Sequence, residues 1–459
     1  MRKLLTIFLC AYLFLIAGIP WSMAEGSTNQ TGVNQGGENV VFTKKYSLAE
    51  LQTDFTIVKT IIEKYHPKLY TDQQELNRLF INQAELLKDN MSELDFYRVV
   101  TPVIAKLNCG HTMINLSSES QNLLMSNGTF LPLSIRIINN KALVLRNLSS
   151  MDMPVGSEIL AINGRTIPQI IKILTNNLSS DGTNISRKLY WMNREFNLLY
   201  YYFVDNSDMF SITYQNPTAR QSSQVTVTAV TLVKFITSVT NQPNNGPYYT
   251  NFEKDYAVLT IKSFSFYEEY TRNKFKEFID DFFAQVANQK IANLILDLRD
   301  NGGGDPYCSS HVFSYLINKP YPYFAKNTPG HNDLESPIAP AKNKFNGSLY
   351  ILINGGCFSA TGHLCSLLKY HQIGTFIGDE TGGSFVCTDG SRNIVLKNTR
   401  LRLRYSTQAF QTAVSGLTPG RGIIPDYYVF PSIQDYLNRN DVEKDYAIKL
   451  IQDGSKGEL

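Results

Sequence analysis

The chain opens on a short basic start, Arg2 and Lys3, followed by an apolar run from Leu4 to Gly18. Ser22-Met23-Ala24 then sets small residues where a signal peptidase reads, so residues 1–24 read as an export signal cut after Ala24. The run is short for a membrane span, a retained N-terminal anchor is the alternative, and no later segment approaches a span. Residues 25–45, rich in Gly, Asn, Gln and Ser, read as a flexible leader. Helical periodicity starts after Ser47: Leu51, Phe55, Val58 and Ile62 recur at that spacing, and Ser47-Leu48-Ala49-Glu50 fits a capping box. A second helix is predicted over roughly Gln73 to Leu87. A third opens at Ser92, with Asp95 in the capping-box position, and runs to about Leu107. Residues 46–118 are thus expected to form a helical domain.

The pattern then switches to alternation. Leu131 to Leu145 reads as two strands around the turn Asn139-Asn140, and Val155 to Gly164 leads from a glycine turn through an apolar strand into Asn163-Gly164. The stretch Gly156-Ser157-Glu158-Ile159-Leu160-Ala161-Ile162-Asn163-Gly164 resembles part of the PDZ family. Where PDZ domains carry a glycine-apolar-glycine-apolar carboxylate loop, this chain has Asn127-Gly128-Thr129-Phe130. Residues 181–205 read as an aromatic helical insert and Val225 to Ser238 as further strand. Together, residues 128–238 make a PDZ-like domain, and Asn241 to Pro247 a linker.

From Tyr256 strands and helices alternate. Strands are predicted at Tyr256–Ser263, Ala292–Leu298 and Leu349–Asn354, with helices at Glu268–Gln289, about Pro306–Ile317 and Ser359–Tyr370. This order implies parallel strands with crossover helices, an α/β core over residues 248–450, with antiparallel strands added between Asn393 and Ser406.

Charge changes this picture little. Losing Arg2 and Lys3 with the signal takes the net charge from +3 to +1, which gives no reason to expect nucleic acid or anionic lipid as a partner. Five cysteines remain: Cys109, Cys308, Cys357, Cys365 and Cys387. No CxxC pair points to zinc, and the odd number leaves at least one thiol free or paired between chains. The 26 Tyr and 26 Phe fit either aromatic grooves or large core side chains.

Candidate chemistry gathers at strand ends. Ser359 follows the strand Leu349–Asn354 through Gly355-Gly356-Cys357-Phe358 and opens a helix. The helix dipole favours negative charge at such a hydroxyl, and the Ala360 amide would face a developing oxyanion; a plain helix-capping serine is the competing reading. Asp297-Leu298-Arg299-Asp300-Asn301-Gly302-Gly303-Gly304 follows another apolar strand. Its glycines mark close backbone approach or an amide nest, and without a Gly-Lys-Ser/Thr they do not make a phosphate loop. These two segments, with Gly420-Arg421-Gly422-Ile423-Ile424-Pro425-Asp426, resemble the S41 serine peptidases, the tail-specific and tricorn-like proteases. The resemblance implies a ClpP/crotonase-like βα core, Ser359 as nucleophile, and Gly303 with Ala360 as oxyanion donors.

The base is a separate question. Tail-specific members use a lysine in a Thr-Phe-Gly-Lys-Gly-like stretch; here Gly374 to Ser384 holds none, and Lys369 and Lys397 fall outside the motif. Asn108-Cys109-Gly110-His111-Thr112 resembles the Gly-His-Thr segment of tricorn-like members, which makes His111 the candidate base, with an imidazole titrating near working pH. His363, four residues after Ser359, ranks second, and His66, His311, His331 and His371 read as structural or surface. Tricorn-like members orient the histidine with a glutamate before Gly-Val-x-Pro-Asp. Pro419-Gly420-Arg421 has no acid there, leaving Asp379, Glu380 and Asp389 as substitutes. The reading is a secreted or periplasmic serine peptidase acting on peptides or unfolded proteins, with no cofactor and no metal. The alternatives are a binding protein on the same fold without catalysis, and a non-peptidase acyl hydrolase.

Overall fold

The computed structural model describes residues 42–219, 221–237 and 246–456. The export signal, most of the leader and residues 241–245 of the linker lie outside them. Helices α1 (Leu48–Tyr65), α2 (Gln73–Ala84) and α3 (Glu93–Lys106) start where their caps dictate. Ser47 and Ser92 both close capping boxes, with Glu50 and Asp95. After α3 the chain turns through the His111 loop into the short strand β1 (Met113–Asn115), and helix α4 (Ser118–Asn127) follows.

The alternating segment folds into β2 (Leu133–Ile138), β3 (Lys141–Asn147) and β4 (Glu158–Ile162). Asn139 and Asn140 take φ of 50° and 62° at the first turn, as a two-residue hairpin with right-handed twist requires. Next come helix α5 (Ile167–Asn177), the aromatic helix α6 (Ile185–Phe203) and strands β5 (Met209–Gln215) and β6 (Ser222–Thr228). The antiparallel sheet has the order β6-β5-β4-β3-β2. The strand expected from Val225 to Ser238 runs to Thr228 and resumes over Val230–Thr231, and Leu232–Thr237 is helical (α7).

The third sheet uses β7 (Tyr248–Phe252), β8 (Ala257–Ile261), β9 (Asn293–Asp297), β10 (Ser348–Ile353) and β11 (Thr375–Gly378), with crossover helices α8 (Glu269–Asn288), α9 (Pro306–Leu316) and α10 (Ala360–Tyr370). The strands β8, β9, β10 and β11 run parallel in that order, with β7 antiparallel at one edge. Their near-continuous apolar sequences match burial on both faces. Phe275, Ile279, Phe282 and Leu364 pack one face; Ala447 and Ile451 pack the other.

The segment after β11 returns to the N-terminal helices. Strands β12 (Val386–Asp389), β13 (Arg392–Val395), β14 (Arg402–Tyr405) and β15 (Gln408–Gln411) follow, and β14 pairs antiparallel with β1, Leu403 opposite Ile114. Leu396, Leu401, Leu403 and Tyr405 share one apolar core with Leu51, Val58 and Val100. Residues from opposite ends of the chain therefore build one unit around the His111 loop. Among the described residues no helix is long and apolar enough to cross a membrane. All five cysteines are free and buried.

Candidate active site

Ser359 stands at a sharp turn between β10 and α10 with φ 54° and ψ −127°. A β-branched or bulky residue would be strained there, and serine itself is held against its preference at a cost of about 1–3 kcal/mol. The surroundings enforce the turn. Asn354 Oδ1 accepts from the Gly356 and Asp300 amides, Phe358 N–H donates to Asn301 O, and Gly383 N–H donates to Cys357 O. A Cβ on Gly355 would meet Ser186 O at 2.3 Å, which explains that glycine. The side chain of Ser359 makes no capping bond to α10, unlike Ser47 or Ser92 at their helices. A capping role therefore does not account for this serine.

His111 reaches the same point from the N-terminal unit. Its Nε2 lies 3.1 Å from Ser359 Oγ. The loop that carries it is pinned on three sides. Asp181 Oδ1 accepts from Gly110 N–H at 2.8 Å, Asn108 O accepts from Gly182 N–H at 2.9 Å, and Cys109 Sγ lies 2.7 Å from Thr388 Oγ1. A Cβ on Gly110 would fall 2.5 Å from the Phe358 ring, so only glycine allows the loop this close to the serine turn. The His111 ring packs against Phe358 with centroids 4.6 Å apart. The imidazole is 6% exposed, and burial pushes its pKa down to about 4; Asp389 opposes that shift, while Arg404 and Arg187 add to it. His111 is thus neutral at pH 7 and free to accept a proton.

The candidate acids separate clearly. Asp389 Oδ2 lies 3.7 Å from His111 Nε2. Glu380 is committed elsewhere: it takes both Nε and a terminal nitrogen of Arg421 at 2.9 Å and the Gly422 amide at 2.8 Å. Asp379 accepts from the Glu380 amide. Asp389 approaches the nitrogen that faces the serine, whereas His111 Nδ1 is buried without a hydrogen-bond partner. Its influence on the ring is therefore electrostatic, exerted on the imidazolium that forms at Nε2, rather than a hold on the opposite nitrogen.

The remaining candidates fall away from the serine hydroxyl. The His363 ring meets Cys387 Sγ at 3.4 Å, and burial pushes its pKa down to about 3. Lys369 pairs with Asp426, and Lys397 is exposed on the β13–β14 turn. Of the two oxyanion candidates, Ala360 opens α10, where first-turn amides lack helical partners. Gly303 lies against the serine turn at φ 91°: a Cβ there would be 2.7 Å from Ser359 Cβ and 2.8 Å from Ala360 N. The Gly303 amide itself donates to Asn301 Oδ1 at 2.9 Å.

Ser359, His111, Gly303 and Asp389 open into a cavity of about 700 Å³ whose opposite wall is helix α6. That wall supplies Arg187, Tyr190, Trp191, Arg194 and Glu195, and α6 kinks at Glu195 (φ −127°, ψ 28°). Burial pushes the Glu195 carboxyl up to about 7. The sequence reading named α6 only as an aromatic insert. Its signal was a cluster of charged residues, Arg187, Lys188, Arg194 and Glu195, inside an aromatic run.

A serine on a strained strand–helix turn, 3.1 Å from a neutral histidine at the mouth of a cavity, defines the site type of the serine hydrolases. Residues 255–429 match the family model described as peptidase family S41. A tail-specific protease of Haemophilus influenzae is 26% identical over 223 residues, 48% of this chain and 31% of the relative, so the match spans under a third of that protein. Two solved structures share the fold at 14% identity. Mature CPAF superposes with a TM-score of 0.63 over 88% of this chain and 96% of the other. Mature CPAF complexed with lactacystin gives 0.62 over 88% and 98%.

Proposed function

We propose that this chain is an exported serine peptidase that cleaves peptide bonds through an acyl-enzyme on Ser359, with His111 as general base. The observation that carries the reading is the 3.1 Å approach of His111 Nε2 to Ser359 Oγ, made by a serine held at positive φ. Neutral His111 takes the serine proton as Oγ attacks the substrate carbonyl. The resulting imidazolium carries its new proton on the nitrogen 3.7 Å from Asp389, whose negative charge stabilises it. The tetrahedral oxygen is received by the Ala360 amide. Gly303 joins it by sharing with the oxyanion the N–H now directed at Asn301 Oδ1. Collapse returns the proton from His111 to the leaving amine, and water then repeats the cycle on the ester.

We read residues 248–450 as a ClpP/crotonase-like core, 46–118 as the helical domain and 128–238 as a PDZ-like domain with α6 as its insert. The parallel order of β8 to β11 and the antiparallel sheet packed with α5 support this division. Export to the periplasm or the medium rests on the basic and apolar start of the chain.

Labelling with a fluorophosphonate, followed by peptide mapping, tests the reading. The label should fall on Ser359 and be lost in Ser359→Ala. In His111→Ala, labelling and peptide turnover should both fall by about 10³–10⁴, the scale of losing a triad member. Absence of label on folded wild-type protein would favour a binding protein without catalysis. Ester turnover without peptide turnover would favour an acyl hydrolase.

A further inference from the structure

The 3.1 Å contact between His111 Nε2 and Ser359 Oγ joins side chains carried by two separate parts of the chain. In serine hydrolases a third group usually orients the imidazole through its other nitrogen. Among the described residues no protein group hydrogen-bonds His111 Nδ1, and Asp389 approaches Nε2, the nitrogen that faces the serine, at 3.7 Å. The orientation of the ring is therefore left to packing.

The packing partner is Phe358. Its backbone serves the serine turn: its N–H donates to Asn301 O at 3.0 Å, and its O accepts from the Thr361 amide at 3.1 Å. Its buried side chain meets the base instead. The His111 ring lies against it with centroids 4.6 Å apart and planes inclined by 32°. Gly110 brings the loop backbone onto the same ring, since a Cβ there would fall 2.5 Å from Phe358 Cζ. The Arg187 guanidinium lies over that ring too, 4.1 Å from its centroid. The start of α6, which carries Arg187, is tied to the core. Asn184 Oδ1 accepts from the Arg187 amide at 2.9 Å, and Asn184 Nδ2 donates to Thr381 O at 2.7 Å. Arg187 Nη1 donates to Gly356 O at 3.5 Å, and Asp181, which accepts from the Gly110 amide, acts on Arg187 electrostatically. A planar cation and a ring face attract, so the guanidinium restrains the ring on which the imidazole rests.

We propose that Phe358 is a positioning residue for His111: its ring, restrained by Arg187, is the spacer that sets the imidazole within reach of Ser359 Oγ, in place of an orienting hydrogen bond. Leucine or methionine would fill the same space, but a flat face is what fixes the plane of a second ring. This rests on the reading that His111 is the base for Ser359.

Two measurements on Phe358→Leu test the proposal. One is the rate of fluorophosphonate labelling at pH 7. The other is the imidazole nitrogen signals of His111 by NMR in protein carrying isotope-labelled histidine, identified by their absence from His111→Ala. Wild type should show His111 as a single tautomer protonated on Nδ1. Phe358→Leu should label about 10- to 100-fold more slowly, the scale of displacing a reacting group by up to about 1 Å, and its His111 signals should average between the two tautomers. Arg187→Met keeps the ring and removes its restraint. It should label about 3- to 10-fold more slowly, the scale of one buried cation–π contact, with the same spectral change in smaller degree. It carries the test if circular dichroism shows Phe358→Leu unfolded. Unchanged labelling in the folded variants overturns the proposal. So does slower labelling with unchanged His111 signals, which would place the effect of the ring on the serine turn, and so does a wild-type His111 that already averages between tautomers. A wild type that takes no label, while its His111 signals still respond to Phe358→Leu, would instead overturn the Ser359 reading alone.

Discussion

Replacing Asp389 by Asn keeps the side chain's shape and removes the charge 3.7 Å from His111 Nε2. Two unit charges at that distance attract by about 1 kcal/mol at the dielectric of water and about 4.5 kcal/mol at an effective value of 20. Asp389 is about one-third exposed and also faces Arg404 at 3.5 Å, which puts the effect near the lower figure. At about 1.4 kcal/mol per pKa unit, the His111 pKa should fall by about one unit. The sign follows from the environment. Burial has already pushed His111 down to about 4, Asp389 opposes that shift, and its loss lets the pKa fall further. A general base works only as neutral imidazole, so kcat/KM is full above this pKa and lost as pH drops through it. In wild type the acid limb should lie near 4. In Asp389→Asn it should move toward lower pH, while kcat/KM at pH 7 falls by about 5- to 10-fold because the transition-state imidazolium has lost its neighbour. The assay is a fluorogenic peptide profile from pH 3 to 8, with circular dichroism at each point. A variant that loses activity with an unmoved limb would mean that Asp389 only holds structure. A wild-type limb near the ordinary histidine value would refute the electrostatic account.

Two further substitutions probe the serine turn and the lysine alternative. Gly303→Ala should cut kcat by about 100-fold or more while leaving KM nearly unchanged, because the new methyl would fall 2.7 Å from Ser359 Cβ at a φ of 91°; steady-state kinetics with a melting curve checks this. Lys369→Ala and Lys397→Ala should keep kcat/KM within about two-fold of wild type, and breaking the exposed Lys369–Asp426 pair should cost at most about 1 kcal/mol in a denaturant titration.

What the sequence made legible is what local chemistry dictates. The boxes at Ser47 and Ser92, the Asn139-Asn140 turn and the alternation through β8 to β10 each depend on neighbours within a few residues, and each formed where its pattern lay. Ser359 was legible because a strand, two glycines and a helix start are contiguous. The strand expected through Ser238 gave way to helix beyond Leu232, where Leu232, Lys234 and Phe235 offer apolar and polar positions to either period. Choosing among Asp379, Glu380 and Asp389 was beyond local pattern. The choice depends on Arg421 claiming Glu380 from 41 positions away and on β12 ending beside the His111 loop.

The site also depends on how the chain returns on itself. Ser359 is fixed by the parallel sheet, while His111 is fixed by a unit that takes two of the three strands of its sheet and part of its core from residues 392–405. Met113, two residues after His111, pairs with Arg404, and Arg404 in turn faces Asp389. The loop of His111 and the strand of Arg404 are therefore joined through β1 and β14, while Ser359 stays with the parallel sheet. A shift of about 1 Å between the two bodies would lengthen the 3.1 Å contact beyond hydrogen-bonding range without unfolding either. Under the proposed roles, the reach of His111 to Ser359 thus depends on the docking of β1 and β14 as much as on the two side chains themselves.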